Sequence, residues 1–142
     1  MRKLVLVVED DNPIQRLLVD ILEEAAFDVQ TVRLGREAIS KAKAASPDLI
    51  LLDLMLPDLD GNGVLALLSG DARLRKIPVI VVSAYPQLLR RSPQVRAIVA
   101  KPFDITDLLN EVEEHIGENY GALPTGLDGG STQASPPVAW TD

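Results

Sequence analysis

Two rhythms of apolar and polar positions run along this chain, and they trade places about five times. Leu4 to Val8 is a short apolar run with β-branched Val. Ile14, Leu17, Leu18, Ile21, Leu22 and Ala25 then recur at the i, i+3, i+4, i+7 spacing of an amphipathic helix. Asp11 or Asn12 can cap that helix, with Pro13 in its first turn, where the missing N–H has no partner to lose. Phe27 to Val32 reads as a second strand, and Gly35 precedes a weaker helix through Ala38, Ile39 and Ala42. After Pro47, Asp48 to Leu52 is the third strand. Asp58 to Gly63 is a turn cluster, followed by a short helix with Val64, Leu65 and Leu68 on one face. Pro78 to Val82 is a fourth strand and Ala97 to Ala100 a brief fifth. Asp104 or Thr106 can cap a last helix, striped by Ile105, Leu108, Leu109, Val112 and Ile116.

Strands alternating with helices predict an α/β fold, a parallel sheet covered by helices on both faces with right-handed crossovers. Strands that are continuously apolar rather than alternating agree, because a parallel sheet is buried on both sides. The expected organisation is one domain over residues 1–117 and a flexible Gly/Pro/Ser-rich tail or linker over 118–142. That last stretch holds four Gly and three Pro and shows no periodicity. Trp140, the only Trp of the chain, lies in it and reads as an exposed tail residue.

Charge narrows the function classes. The net charge of −7 disfavours nucleic-acid binding as the main activity, since phosphate contacts need a basic face. Every Lys and Arg lies at or before Lys101, while residues 118–142 carry Glu118, Asp128 and Asp142 and no base. No apolar stretch approaches membrane-spanning length, so no membrane insertion is expected. Arg2 and Lys3 precede an apolar run of only five residues, too short for a secretion signal. Without Cys there is neither a disulfide framework nor a thiolate metal site, and a cytoplasmic location is the default expectation. Arg73, Arg75 and Lys76, and Arg90, Arg91 and Arg96, form local basic clusters read as solvated faces. His115, the only His, reads as a surface residue near the end of the last helix.

The chemistry gathers at the ends of the apolar runs. In open α/β sheets ligands bind beyond the carboxyl ends of the strands. Glu9, Asp10 and Asp11 follow the first strand, Asp53 ends the third, Ser83 and Ala84 end the fourth, and Lys101 with Pro102 ends the fifth. Two unit charges about 4 Å apart interact by roughly 4 kcal/mol at an effective dielectric near 20, so crowded carboxylates demand compensation. Lys101 supplies one positive charge, and an oxygen-preferring divalent cation, Mg²⁺, would complete the balance. A carboxylate, Mg²⁺, a Lys and a hydroxyl in one pocket suit phosphoryl transfer to Asp, which can form an acyl phosphate.

The fragments VVEDD (7–11), LLDLMLPDLDG (51–61), VVSA (81–84) and KPF (101–103), in this order and spacing, resemble the receiver domain of two-component response regulators. The resemblance covers residues 2–117. It implies a flavodoxin-like (βα)₅ doubly wound parallel sheet with strand order 2-1-3-4-5. It implies Asp53 as phosphoacceptor and metal ligand, Asp10 as direct Mg²⁺ ligand, Glu9 acting mainly through water, and the Met55 backbone carbonyl as a further ligand. Ser83 falls at the switch Ser/Thr position, and Lys101 at the Lys that contacts the phosphoryl group. The Lys101–Pro102 bond is usually cis in that family. Asp11 reads as a helix cap rather than a ligand. The implied partners are a sensor histidine kinase or a His-phosphotransfer protein, with an unidentified downstream protein receiving the output and no direct contact with nucleic acid. Such a protein is a switch more than an enzyme, catalysing only its own aspartyl phosphorylation and dephosphorylation.

Two departures stand out. Ile98 occupies the position where the family usually has an aromatic switch residue, three before the strand-five Lys. The stretch from Ser83 to Lys101 is short by about one helical turn and holds Pro86 and Pro93, and Pro inside a helix costs about 3 kcal/mol. The fourth helix is therefore expected to be short, distorted or partly missing, and the usual dimer face made with it is not carried over. These departures motivate an alternative, a phosphorylation-independent interaction module. A hydrolase with an Asp nucleophile is disfavoured, because Met55 stands where such enzymes carry a second Asp.

Overall fold

A computed structural model describes residues 2–116. Among them, five strands form one parallel sheet in the order β2-β1-β3-β4-β5. The strands are β1 (Leu4–Val8), β2 (Asp28–Val32), β3 (Leu49–Leu52), β4 (Val79–Ser83) and β5 (Val95–Ala100). The helices are α1 (Asn12–Glu24), α2 (Gly35–Ala45), α3 (Gly61–Ser69) and α4 (Ile105–His115), joined by 3₁₀ turns at Leu74–Lys76 and Pro86–Leu88. The tail, with Trp140, lies outside the described residues. No described helix is long and apolar enough to cross a membrane.

The continuous apolar strands split by parity into two cores. Leu6, Val8, Ile50, Leu52, Val79 and Val81 pack beneath α2 and α3, against Ala38, Ala42, Val64, Leu65 and Leu68. Val5, Val7, Leu49, Leu51, Ile80 and Val82 pack beneath α1 and α4, against Leu18, Leu22, Leu108 and Val112. Successive strand side chains point to opposite faces, so each face needs an apolar residue at every second position.

Differences from the sequence reading have local causes. The third helix starts at Gly61, inside the expected turn cluster, because Asp60 caps it by accepting the Gly63 N–H at 2.9 Å. The fifth strand starts at Val95 rather than Ala97, and the pairing with β4 shifts between Val79↔Val95 and Ile80↔Ala97. That bulge puts Val95 against one core and Ala97 against the other, which hides the strand's alternation. Between β4 and β5 stands a single 3₁₀ turn, Pro86–Leu88, where a fourth helix would be. His115 is a correction: it is 6% exposed, not a surface residue, and its Nε2 lies 3.4 Å from Glu111 Oε1 one turn back on α4. Ile98 is half-buried against the α2–α3 core.

Candidate functional site

The strands deliver their last residues to one edge, and backbone hydrogen bonds carry the ladder one residue further. Glu9 N–H donates to Val32 O (3.1 Å), Asp53 N–H to Val8 O (3.1 Å) and Lys101 N–H to Ser83 O (2.9 Å). Ser83, the last residue of β4, and Glu9, Asp53 and Lys101, each just past its strand, are thereby held side by side. Asp11 caps α1 by accepting the Ile14 N–H at 3.2 Å, so it faces the helix as expected. The Lys101–Pro102 peptide is cis.

Lys101 bridges two of the carboxylates. Its Nζ donates to Glu9 Oε1 at 2.7 Å and to Asp53 Oδ2 at 3.3 Å. Glu9 is 2% exposed and Asp53 6%, so these charges meet with little water between them. The other Asp53 oxygen, Oδ1, accepts the Met55 N–H at 3.2 Å, while the Met55 side chain is exposed. Asp10 is half-buried beside them. Carboxylate oxygens of Glu9, Asp10 and Asp53 lie within 4.8 Å of one another. Ser83 is fully buried, and its Oγ accepts the Tyr85 N–H at 3.0 Å. The Ser83 hydroxyl shares this edge without a direct hydrogen bond to Asp53 or Lys101.

Burial pushes the Glu9 carboxyl from 4.5 up to about 7, the Asp53 charge pushes the same way, and the hydrogen bond from Lys101 opposes both. For Lys101, burial favours the neutral amine. The hydrogen bond to Glu9 and the charges of Glu9 and Asp53 outweigh burial and raise its pKa above the ordinary value. One lysine among three carboxylates leaves the cluster short of positive charge. An all-oxygen, acidic donor set of this size suits a hard divalent cation such as Mg²⁺.

Three supporting residues escape a linear reading of the sequence. Gln15 Nε2 donates to Glu9 O at 2.8 Å, and the Arg33 guanidinium donates to Asp10 O at 3.1 Å, so both steady the acidic pair through its backbone. Gly61 packs on the chain around Asp53: a Cβ there would stand 2.7 Å from the Asp53 carbonyl oxygen. Gln15 lies next to the apolar stripe of α1 and Gly61 falls in the LPDLDG fragment, which are the only sequence signals they leave.

A doubly wound parallel sheet in the order 2-1-3-4-5, with acids and a lysine at its carboxyl edge, is an α/β fold of the flavodoxin-like kind. The chain belongs to the response regulator receiver domain family, which residues 5–113 match. It is 32% identical over 122 residues to the polar-differentiation response regulator DivK of Brucella ovis, covering 83% of this chain and 99% of that protein. DivK of Brucella anthropi matches to the same extent. Among solved structures, a sensor protein from Polaromonas sp. JS666 superposes with a TM-score of 0.76 at 30% identity, over 82% of this chain and 97% of that one. The receiver domain of a sensor histidine kinase from Pseudomonas aeruginosa, solved with magnesium ion coordinated in its active site cleft, gives a TM-score of 0.75 at 26% identity. That match covers 83% of this chain and all of that one.

Proposed function

We propose that Asp53 accepts a phosphoryl group from the phospho-histidine of a sensor histidine kinase or His-phosphotransfer protein, and that the modification switches binding of a downstream protein. The observation that carries this reading is the Lys101 ammonium bridging Glu9 and Asp53 at a strand-end cluster of three carboxylates. An Asp53 oxygen attacks phosphorus, the new O–P bond forms as the P–N bond to the donor imidazole breaks, and the leaving nitrogen keeps the electron pair. Lys101, already 3.3 Å from Asp53 Oδ2, neutralises charge on the transferring oxygens. Asp10, Asp53 and the Met55 carbonyl would hold Mg²⁺, with Glu9 acting through water, and the bound ion would add compensating charge at those same oxygens. Ser83 can keep accepting from Tyr85 and still donate its own proton to the aspartyl phosphate, because a hydroxyl both donates and accepts. A differential contact of this kind biases a two-state equilibrium through the β4 end. In this reading residues 1–117 are the receiver, 118–142 a tail or linker, and the protein works in the cytoplasm.

Intact-mass analysis after incubation with acetyl phosphate and Mg²⁺ tests this. One added phosphoryl group is expected in the wild type, absent from Asp53→Asn and absent when Mg²⁺ is chelated. A wild type that takes up no phosphoryl group would overturn the proposal and favour the phosphorylation-independent module, for which Ile98 and the missing helix between β4 and β5 speak.

A further inference from the structure

The place left by the missing helix is a built groove. Asn62, in the first turn of α3, clamps the β4–β5 connection with both ends of its amide: Nδ2 donates to Leu88 O at 2.9 Å, and Oδ1 accepts the Arg90 N–H at 2.8 Å. At the other end of α3, Ser69 Oγ donates to Gln94 Oε1 at 3.2 Å. Buried Gln94 in turn donates to Leu74 O and Ile77 O at 2.8 and 3.0 Å. Between these two ties lies an open groove of about 320 Å³, walled by Leu65 and Ala66 on one side and by Arg90, Arg91 and Pro93 on the other.

The groove sits in a basic stretch of an acidic chain. Between residues 61 and 103, Asp71 is the only acid, against Arg73, Arg75, Lys76, Arg90, Arg91, Arg96 and the site residue Lys101. Arg73, Arg75, Lys76, Arg90 and Arg91 are all exposed. The Gln94 ties bring the Arg73–Lys76 turn to the start of β5, so these side chains share the amino edge of the sheet with the lower end of the groove.

The chain itself holds a segment of opposite character. Residues 117–142 carry Glu118, Asp128 and Asp142 with no Lys or Arg, and also Leu123, Leu127, Val138 and Trp140. Topology places their origin. A helix after a parallel strand runs back toward the sheet's amino edge, so α4 ends at the edge where α3 ends and β5 begins. α4 packs on the opposite face of the sheet from α3, but it lies over β5, the edge strand. Passing round that edge from one helix layer to the other spans roughly 20 Å. Residues 117–142 reach roughly 85 Å when fully extended.

We propose that the acidic segment 117–142 docks in cis on the basic groove between α3 and the β4–β5 connection, with its apolar side chains, Trp140 among them, against the Leu65–Ala66 wall. A docked segment covers the surface of the connection that follows Ser83, so it competes with any partner binding there. The inference does not depend on phosphoryl transfer at Asp53, and its test needs none.

Trp140, as the only Trp, is a built-in reporter. Acrylamide quenching of its fluorescence in the full chain is compared with that of a synthetic 118–142 peptide and with the double variant Arg90→Glu/Arg91→Glu. Both arginines are exposed, and circular dichroism checks that the variant keeps the fold. The expected result is blue-shifted emission and reduced quenching in the full chain, unchanged on dilution. Most of that protection is lost in the double variant and at high salt. Peptide-like quenching in the full chain would overturn the proposal. So would protection that survives the charge reversal, which would place the segment elsewhere, or protection that disappears on dilution, which would assign it to a second copy.

Discussion

Glu9 concentrates the electrostatics of the site in one side chain. A carboxyl raised from 4.5 to about 7 binds its proton more tightly in the folded chain than in the unfolded one. Its contribution to stability is complete below about pH 4.5 and is lost as pH rises through about 7. In metal-free buffer, the stability of the wild type minus that of Glu9→Gln is expected to fall across this window and to stay level above it, measured by denaturant unfolding at each pH. Lys101 carries the opposite burden, since it faces the two carboxylates that need its charge. Lys101→Met is expected to slow phosphoryl uptake from acetyl phosphate on the order of 10²-fold, the scale for losing one preorganised charge stabiliser. Asp53 and Lys101 were legible in the sequence because a charge that ends an apolar run demands a partner. Gln15 and Arg33 were not, because they act on the backbone of Glu9 and Asp10 through contacts that exist only once the chain is folded. His115 was misread because a helical wheel shows its face and not the neighbours that cover it.

Helices and turns here are set by single polar residues at their starts. Asp104 caps α4 by accepting the N–H groups of Thr106 and Asp107 at 2.8 and 3.1 Å. Asp104→Ala is expected to destabilise the fold by about 1 kcal/mol in denaturant unfolding. Asn62→Ala removes two hydrogen bonds to the β4–β5 connection, each worth about 1 kcal/mol. Amide exchange at Arg90 should then accelerate while the protection of β1 and β3 is kept. The Asp58–Gly63 cluster was legible as punctuation, yet the start of α3 inside it was not. Asp60 turns a would-be loop into a capped first turn, and caps are competitions between several Asp and Asn that the sequence leaves undecided. The weakened helix between β4 and β5 was legible from Pro86, whereas the clamp that holds its replacement comes from Asn62 on another element.

At the scale of the whole molecule, three carboxylates and one lysine at a sheet edge are expected to make folding responsive to cations. A ligand bound only by the folded state stabilises it by mass action, by about 2.7 kcal/mol at one hundred times its Kd. Mg²⁺ is therefore expected to raise the melting temperature in a concentration-dependent way, and Asp10→Asn should abolish the rise, as differential scanning calorimetry would show.

The alternation of elements, the twin cores and the identity of the charged strand ends were determined by the sequence alone. Apolar periodicity is local, and a parallel sheet buried on both faces admits few chain paths. Tertiary structure decided how those charges meet: Lys101 follows Glu9 by more than ninety residues, and only the strand order brings its Nζ to 2.7 Å from that carboxylate. It also decided that Arg90 is held at the first turn of α3 and the Arg73–Lys76 turn is tied near its last, because Asn62 and Gln94 join segments that the sequence keeps apart.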